Sequence, residues 1–125
     1  MQNPVGWFEI YVSDMPRAKS FYETVLNVKL EALSPPGDMP IEMWSFPMDD
    51  KTYGAGGALA KMERVEPGQG GTLIYFSCED CANEQSRVEQ AGGTVVQPKF
   101  SIGEYGFCSV VIDTEGNTIG LHSQQ

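Results

Sequence analysis

Glu9 is the residue with the most chemistry to offer in this sequence. It lies in Trp7-Phe8-Glu9-Ile10-Tyr11, where alternation along a strand would turn Trp7, Glu9 and Tyr11 to one side. A carboxylate held between an indole and a phenol on an interior face is partly desolvated. It could act as a general base or orient a cationic or hydroxyl-bearing ligand. The same residue could equally be a structural carboxylate satisfied by the Tyr hydroxyl or by backbone amides. His122 is the single histidine. Its parity with Gly120 points it inward, whereas its place near the carboxyl end suits a solvated ring. Together Glu9 and His122 could make a displaced two-residue metal site.

Three cysteines, an odd number, suit reduced thiols and a cytoplasmic setting. Cys78-Glu79-Asp80-Cys81 forms a CxxC where a strand passes into a helix, a place that lowers thiol pKa values. Zinc would need further ligands from Cys108, His122 or carboxylates at unfamiliar spacing, and no thioredoxin-like sequence surrounds the pair. Ser101 to Phe107 is a glycine-spaced loop that could close over a cavity with Tyr105 and Phe107 facing a ligand, or could simply connect two strands. Met39, Met43, Trp44 and Met48 crowd one segment and suit core or dimer packing. The facing of Trp44 and Glu42 is open.

The elements that would position these groups are legible from periodicity. Phe8 to Val12 reads as a strand with Phe8, Ile10 and Val12 on its apolar side. Asp14 is a candidate N-cap, Pro16 fits a first turn, and Ala18, Phe21, Tyr22, Val25 and Leu26 recur at helical spacing, which predicts a helix over about residues 15–26. Val28 to Leu33, Ile41 to Met48 and Ala55 to Lys61 follow as strands. The order then returns: a strand from Leu73 to Cys78, a helix capped by Asp80 and running through Val88 and Ala91 to Gly92-Gly93, then strands at Thr94 to Val96, Gly106 to Ile112 and Asn117 to Leu121. Asp113 to Asn117 predicts a hairpin with Gly116 at positive φ. Aligning Asp80 with Asp14 sets Ile74, Phe76 and Cys78 on Phe8, Ile10 and Val12. The chain is thus an α+β fold of two βαβββ modules, over about residues 4–62 and 71–123 of one domain. Each module has one helix for one sheet face, so the other face must meet the second module or a ligand. Alternation puts Trp7, Glu9, Tyr11, Leu73, Tyr75, Ser77, Gly120 and His122 on that face.

A chain of 125 residues can bury a sufficient core without disulfides. Its net charge of −9, with eight scattered Lys and Arg, excludes nucleic-acid binding as an expectation. No apolar run approaches the roughly 18 residues of a membrane span, and the first residues resemble no signal peptide. The expected setting is the cytoplasm, with no membrane partner.

Val12-Ser13-Asp14-Met15-Pro16-Arg17-Ala18-Lys19-Ser20-Phe21-Tyr22-Glu23-Thr24-Val25-Leu26 and Ile112-Asp113-Thr114-Glu115-Gly116-Asn117-Thr118-Ile119-Gly120-Leu121 resemble the first strand-to-helix segment and closing hairpin of the glyoxalase, bleomycin-resistance and ring-cleaving dioxygenase superfamily, also called the vicinal oxygen chelate superfamily. The resemblance spans nearly the whole chain. It implies the vicinal oxygen chelate fold, a homodimer, and a cavity whose metal is held by His, Gln or Glu from the first and last strands of the modules. The corresponding positions here are Trp7, Gly57, Leu73 and Gly120, none of which carries a donor. The expectation is therefore a small-molecule-binding protein with no metal and no cofactor, whose ligand meets Trp7, Tyr11, Tyr75, Tyr105, Phe107 and His122. The alternative is a lyase, isomerase or dioxygenase-type enzyme using Glu9 as acid or base on a small carbonyl or aromatic compound.

Overall fold

Two aspartates start the two helices. In the computed structural model, which describes residues 3–68 and 70–125, β1 (Val5–Tyr11) ends just before Asp14, whose carboxylate accepts a bond from the Arg17 amide at 3.1 Å and caps α1 (Met15–Leu26). Satisfying an otherwise orphaned amide is what makes Asp effective there. Asn27 closes the helix in the left-handed conformation. The Glu23 carboxylate then accepts from the Leu30 amide at 2.9 Å and ties the helix to the chain that follows it.

The chain divides into two compact units, Trp7–Thr72 and Leu73–Gln125, the second including the amino-terminal residues through Gly6. In the first, β2 (Glu31–Leu33), β3 (Ile41–Ser45) and β4 (Gly56–Met62) join β1 in the order β2-β3-β4-β1. The outer pairings are antiparallel, and β1 runs parallel to β4. The second unit repeats this with β5 (Thr72–Ser77), α2 (Cys81–Val88), β6 (Thr94–Ser101), β7 (Phe107–Ile112) and β8 (Thr118–Ser123): its order is β6-β7-β8-β5, with β5 parallel to β8. The α+β class and the repeated strand–helix–three-strand module both follow.

Each helix covers one sheet face. Val12, Met15, Leu30 and Leu59 form the first core, with Ile10, Ala18, Tyr22, Trp44 and Phe46 packed on it; Cys81, Val111 and Leu121 form the second, with Phe76, Cys78, Val88, Val95, Phe107 and Ile119. Trp44, unassigned from sequence, faces α1. Its indole N–H donates to Glu42 at 3.0 Å, and the Lys19 ammonium sits 3.3 Å from its ring centroid.

Five expectations need correction. The strand expected from Val28 begins only at Glu31, after the Leu30 amide is taken up by the Glu23 carboxylate. The face of α1 packed on the core is Met15, which is buried, with the partly buried Ala18 and Tyr22, while Phe21, Val25 and Leu26 are more than half exposed. The second helix stops at Val88, where the amides of Ala91 and Gly93 both turn back to the Val88 carbonyl. β3 ends at Ser45, ahead of Pro47, which has no amide to donate. β6 runs on through Pro98 to Ser101, because it is the edge strand of its unit and carries register shifts against β7 that accommodate proline. The closing hairpin is as expected: Asp113 accepts from the Glu115 and Asn117 amides at 2.8 and 2.9 Å, and Gly116 takes φ +85°. Bonds from Asn117 hold the Asp113 carboxyl below the usual carboxylate range. Among the described residues no helix is long and apolar enough to cross a membrane.

The Asp14 cap supplies a direct test. Asp14→Ala should lower stability by about 1 kcal/mol in urea denaturation, while Asp14→Asn, which keeps the accepting oxygen, should cost a few tenths at most. Equal losses for both would place the contribution in charge and not in capping.

Candidate functional site

β1 places Phe8 and Ile10 toward the helix side and Trp7, Glu9 and Tyr11 on the opposite face. In the parallel pairing Trp7 lies beside Gly56, Glu9 beside Ala58 and Tyr11 beside Ala60; Ala58 and Ala60 in turn pair with Ser45 and Met43 on β3. A floor of glycine and alanine leaves room for the large β1 side chains. Within that room the Trp7 indole N–H donates to Glu9 Oε2 at 3.1 Å and the Tyr11 hydroxyl donates to Oε1 at 2.8 Å. Glu9 is 6% exposed. Burial, then the charge of Glu9 and the hydrogen bond to it, push the Tyr11 phenol well above its ordinary range, so at neutral pH it remains a donor. The carboxylate is thus buried and accepts from these two neutral donors, one at each oxygen.

In the second unit the same face carries Leu73, Tyr75 and Ser77 from β5, Gly120 and His122 from β8, and Cys108 and Val110 from β7. Tyr75 pairs with Gly120 and lies across it: a Cβ on Gly120 would overlap the ring and come within 2.9 Å of Tyr75 Cγ. His122 is half-buried, with Nε2 at 2.6 Å from the Tyr105 carbonyl. A carbonyl only accepts, so Nε2 carries the hydrogen and the lone pair of a neutral ring sits on Nδ1. The same carbonyl accepts from Gln124 at 3.3 Å. The turn at Gly103–Tyr105 is therefore fastened to the end of the chain by the His122 and Gln124 side chains, which both reach the Tyr105 carbonyl. Gly106 must be glycine there, since its φ is +106° and a Cβ would collide with the Ser123 carbonyl.

Two expectations fail on facing. Phe107 packs into the α2-side core, with the Lys99 ammonium 4.8 Å from its centroid, because its pairing with Ser123 sets it on the side of Leu121. Gly57 pairs with Phe8 and lies under that ring on the α1 side; the residue beside Glu9 is Ala58. Neither Gly57 nor Ala58 carries a donor. Cys81 is fully buried and Cys78 half-buried, and burial, followed by the charge of Glu84, raises the Cys78 thiol to about 11. That is the reverse of an activated thiol. Among the described residues no group of three His, Cys, Asp or Glu is placed to hold a metal ion. Sequence reasoning gave the Trp7, Glu9, Tyr11 face and the Tyr hydroxyl as one possible partner of Glu9, but not the bond from the Trp7 indole, for which two donors flanking one carboxylate at alternate positions were the signal. Nothing in the sequence marked Tyr75 as lying over Gly120.

The family model described as Glyoxalase/Bleomycin resistance protein/Dioxygenase superfamily matches residues 5–121. A protein provisionally named glyoxylase CFP32, found in Mycobacterium tuberculosis and Mycobacterium bovis, is 27% identical over 123 residues. The match covers 96% of this chain and 45% of the relative, so the chain spans about half the length of these curated relatives. Among solved structures, the Bacillus halodurans protein BH1468 aligns with TM-score 0.73 at 12% identity, covering 100% of this chain and 96% of that one. Streptomyces coelicolor methylmalonyl-CoA epimerase in complex with 2-nitronate-propionyl-CoA aligns with TM-score 0.67 at 14% identity, covering 98% and 95%. At these identities the likeness concerns the fold.

The raised Tyr11 and Cys78 values set a sign for alkaline behaviour. A folded-state pKa above the unfolded one gives stability that is intact below the unfolded pKa and lost as pH rises beyond it. Stability measured by urea denaturation should therefore decline from about pH 9 upward, first through Cys78 and then, beyond about pH 10, through Tyr11. Tyr11→Phe should flatten the upper part of that decline. A slope unchanged in Tyr11→Phe would mean that the phenol is not held as described.

Proposed function

We propose that this chain, which belongs to the glyoxalase/bleomycin resistance protein/dioxygenase superfamily, binds a small molecule without a metal and uses Glu9 as the polar anchor of its site. The observation that carries the reading is the exchange at the family's ligand positions. Trp7, Leu73 and Gly120 offer no metal-binding side chain, the residue facing Glu9 on β4 is Ala58, and the buried carboxylate on that face of the first module already accepts from Trp7 and Tyr11. Divalent ions need oxygen, nitrogen or sulfur donors, so these residues do not fit one. What the face offers is a dry carboxylate, aromatic rings and small residues, the composition of a small-molecule site. Trp7, Tyr75 and His122 line the module faces turned away from the helices, with Tyr105 fastened beside His122; Tyr11 acts through Glu9.

A second reading is an acid–base enzyme acting on a small carbonyl compound, favoured by the burial of Glu9 beside a phenol that stays protonated. The name glyoxylase carried by the mycobacterial relatives agrees with that class. In either reading we place the protein in the cytoplasm as a homodimer, since two modules leave apolar strand faces that a second copy can complete.

Three measurements decide among these readings. Elemental analysis of the purified protein should find less than stoichiometric Zn, Ni, Mn and Fe; stoichiometric metal lost on mutating Glu9 or His122 would restore the metalloenzyme. Light scattering at micromolar concentration should give twice the 13.7 kDa chain mass, and a value at the chain mass would rule out the dimer. Glu9→Gln should weaken ligands found by thermal-shift screening by about tenfold or more, the value of a charge-assisted bond. Its stability should stay within about 1 kcal/mol, because the amide can accept from Trp7 and donate to the Tyr11 oxygen. Unchanged binding together with a large stability loss would make Glu9 a structural residue.

A further inference from the structure

Among the described residues the buried polar or charged ones are Glu9, Ser45, Ser109 and Ser123. A polar group taken out of water without a partner is costly, so each must be accounted for. Glu9 accepts from Trp7 and Tyr11. Ser109 donates to the Gln97 carbonyl at 3.2 Å, and Ser123 donates to the Gln125 carbonyl at 2.7 Å while accepting from the Cys81 amide at 3.0 Å. Ser45 is the exception. It is 8% exposed, and its hydroxyl has no hydrogen-bond partner among the described residues. The hydroxyl is not fully enclosed, so a small group can reach it.

Strand register says what lies beside it. Ser45 pairs with Ala58, and Ala58 pairs on its other side with Glu9, so the three form one row across β3, β4 and β1 on the face turned away from α1. Trp44 and Phe46, which flank Ser45 in sequence, pack on the α1-side core, as alternation requires. Only the methyl group of Ala58 stands between Ser45 and Glu9. On the far side of Ser45 the exposed Glu31 is its partner on β2. In the adjoining row Met48 lies over Gly56 beside the Trp7 ring and is half exposed, and its unbranched thioether can swing aside to admit a guest.

We propose that Ser45 is a second polar anchor of the first module's site, donating its hydroxyl to the neutral carbonyl oxygen of a small ketone, aldehyde or amide. This rests on the reading of the Glu9 face as ligand-binding. A hydroxyl has one proton to give, and Ser45 gives its own to no group of the described chain. Charge then narrows the choice of acceptor. With Glu9 on one side and Glu31 on the other, a carboxylate or phosphate at Ser45 would meet like charge in a poorly hydrated place, whereas a neutral carbonyl would not. The apolar part of such a ligand would rest on Ala58 and Gly56, with the Trp7 ring beside it.

The test uses acetophenone, benzoate and ethylbenzene, which share a ring and present Ser45 with a carbonyl, a carboxylate and an ethyl group. Dissociation constants are read by ligand-observed NMR. Acetophenone should bind the native protein, and Ser45→Ala should weaken it about three- to tenfold, the contribution of one neutral hydrogen bond. Ethylbenzene should bind native protein and variant alike, and benzoate neither. Without ligand, Ser45→Ala should leave the melting temperature level or slightly raised, whereas Ser109→Ala, which loses the bond to Gln97, should lower it by a few degrees. Acetophenone binding that is equal in native and Ser45→Ala protein, or absent from native protein, would overturn the proposal. So would a stability loss in Ser45→Ala equal to that of Ser109→Ala. Glu9→Gln separates this failure from failure of the underlying reading: acetophenone weakened by Ser45→Ala but not by Glu9→Gln removes Glu9 as an anchor and keeps Ser45, and the reverse pattern removes Ser45 alone.

Discussion

A carboxylate buried to 6% exposure is the constraint from which the first module's architecture follows. An ionised group taken out of water must be compensated by hydrogen bonds close at hand. The compensation here is local: the neighbours two positions away on the same strand are both aromatic side chains with a single polar hydrogen, and each gives it to a different oxygen of Glu9. Trp7 and Tyr11 can do this only if the strand stays extended from one to the other, which the unbroken parallel register against β4 ensures. Their bulk then dictates the partner strand. Gly56, Ala58 and Ala60 beneath them are small, while the intervening Leu59 turns the other way and is fully buried in the α1-side core.

The second module reuses the topology without the charge. β5 runs beside β8 as β1 does beside β4, and a capping aspartate starts each helix. Where the first module has Glu9, however, the second has Tyr75, and where the first has alanine, the second has glycine. The substitution is coupled: a flat ring needs the missing Cβ, whereas a carboxylate reaching toward its flanking donors does not. The cap has diverged as well. Asp80 is further held by the Lys99 ammonium at 2.9 Å, which ties the start of α2 to β6 and, through the Lys99 amide bond to Gln85 at 2.7 Å, to the helix body.

What could be read from the sequence was what depends on local spacing. Strand alternation at Phe8, Ile10 and Val12, helix capping at Asp14 and Asp80, and the Asp113 hairpin all depend on residues within a few positions of one another, and all three appear in the structure. The misreadings have a common cause in strand pairing, which spacing does not reveal. Phe107 follows a turn whose residues break the alternation, so its side is set by Ser123 opposite it. Gly56-Gly57 has no side chains from which a face could be inferred, and the parallel register alone puts Ala58 beside Glu9. The strand expected over Thr94 to Val96 runs on to Ser101 because β6 is an edge strand, which spacing does not reveal. The bonds within Trp7, Glu9 and Tyr11 lie between the two cases: the face was legible, but the rotamers that close the network depend on the small floor contributed by a strand far along the chain.

The arrangement also bears on whether binding or turnover is the better description. Deprotonation beside a carbonyl develops negative charge on oxygen, and acceleration requires donors aimed at that oxygen in a dry site. In the first module Trp7 and Tyr11 both donate to the Glu9 carboxylate. If either turned to a substrate oxygen, Glu9 would lose a bond as the substrate gained one, and Tyr11, whose proton affinity is raised first by burial and then by the charge of Glu9 and this bond, would remain a donor. Donors committed to the carboxylate are poor oxyanion stabilisers. The same committed network is well suited to binding, because a rigid, preorganised carboxylate loses little freedom when a ligand hydroxyl or ammonium joins it. Binding through Glu9, as proposed, therefore asks less of these residues than catalysis would.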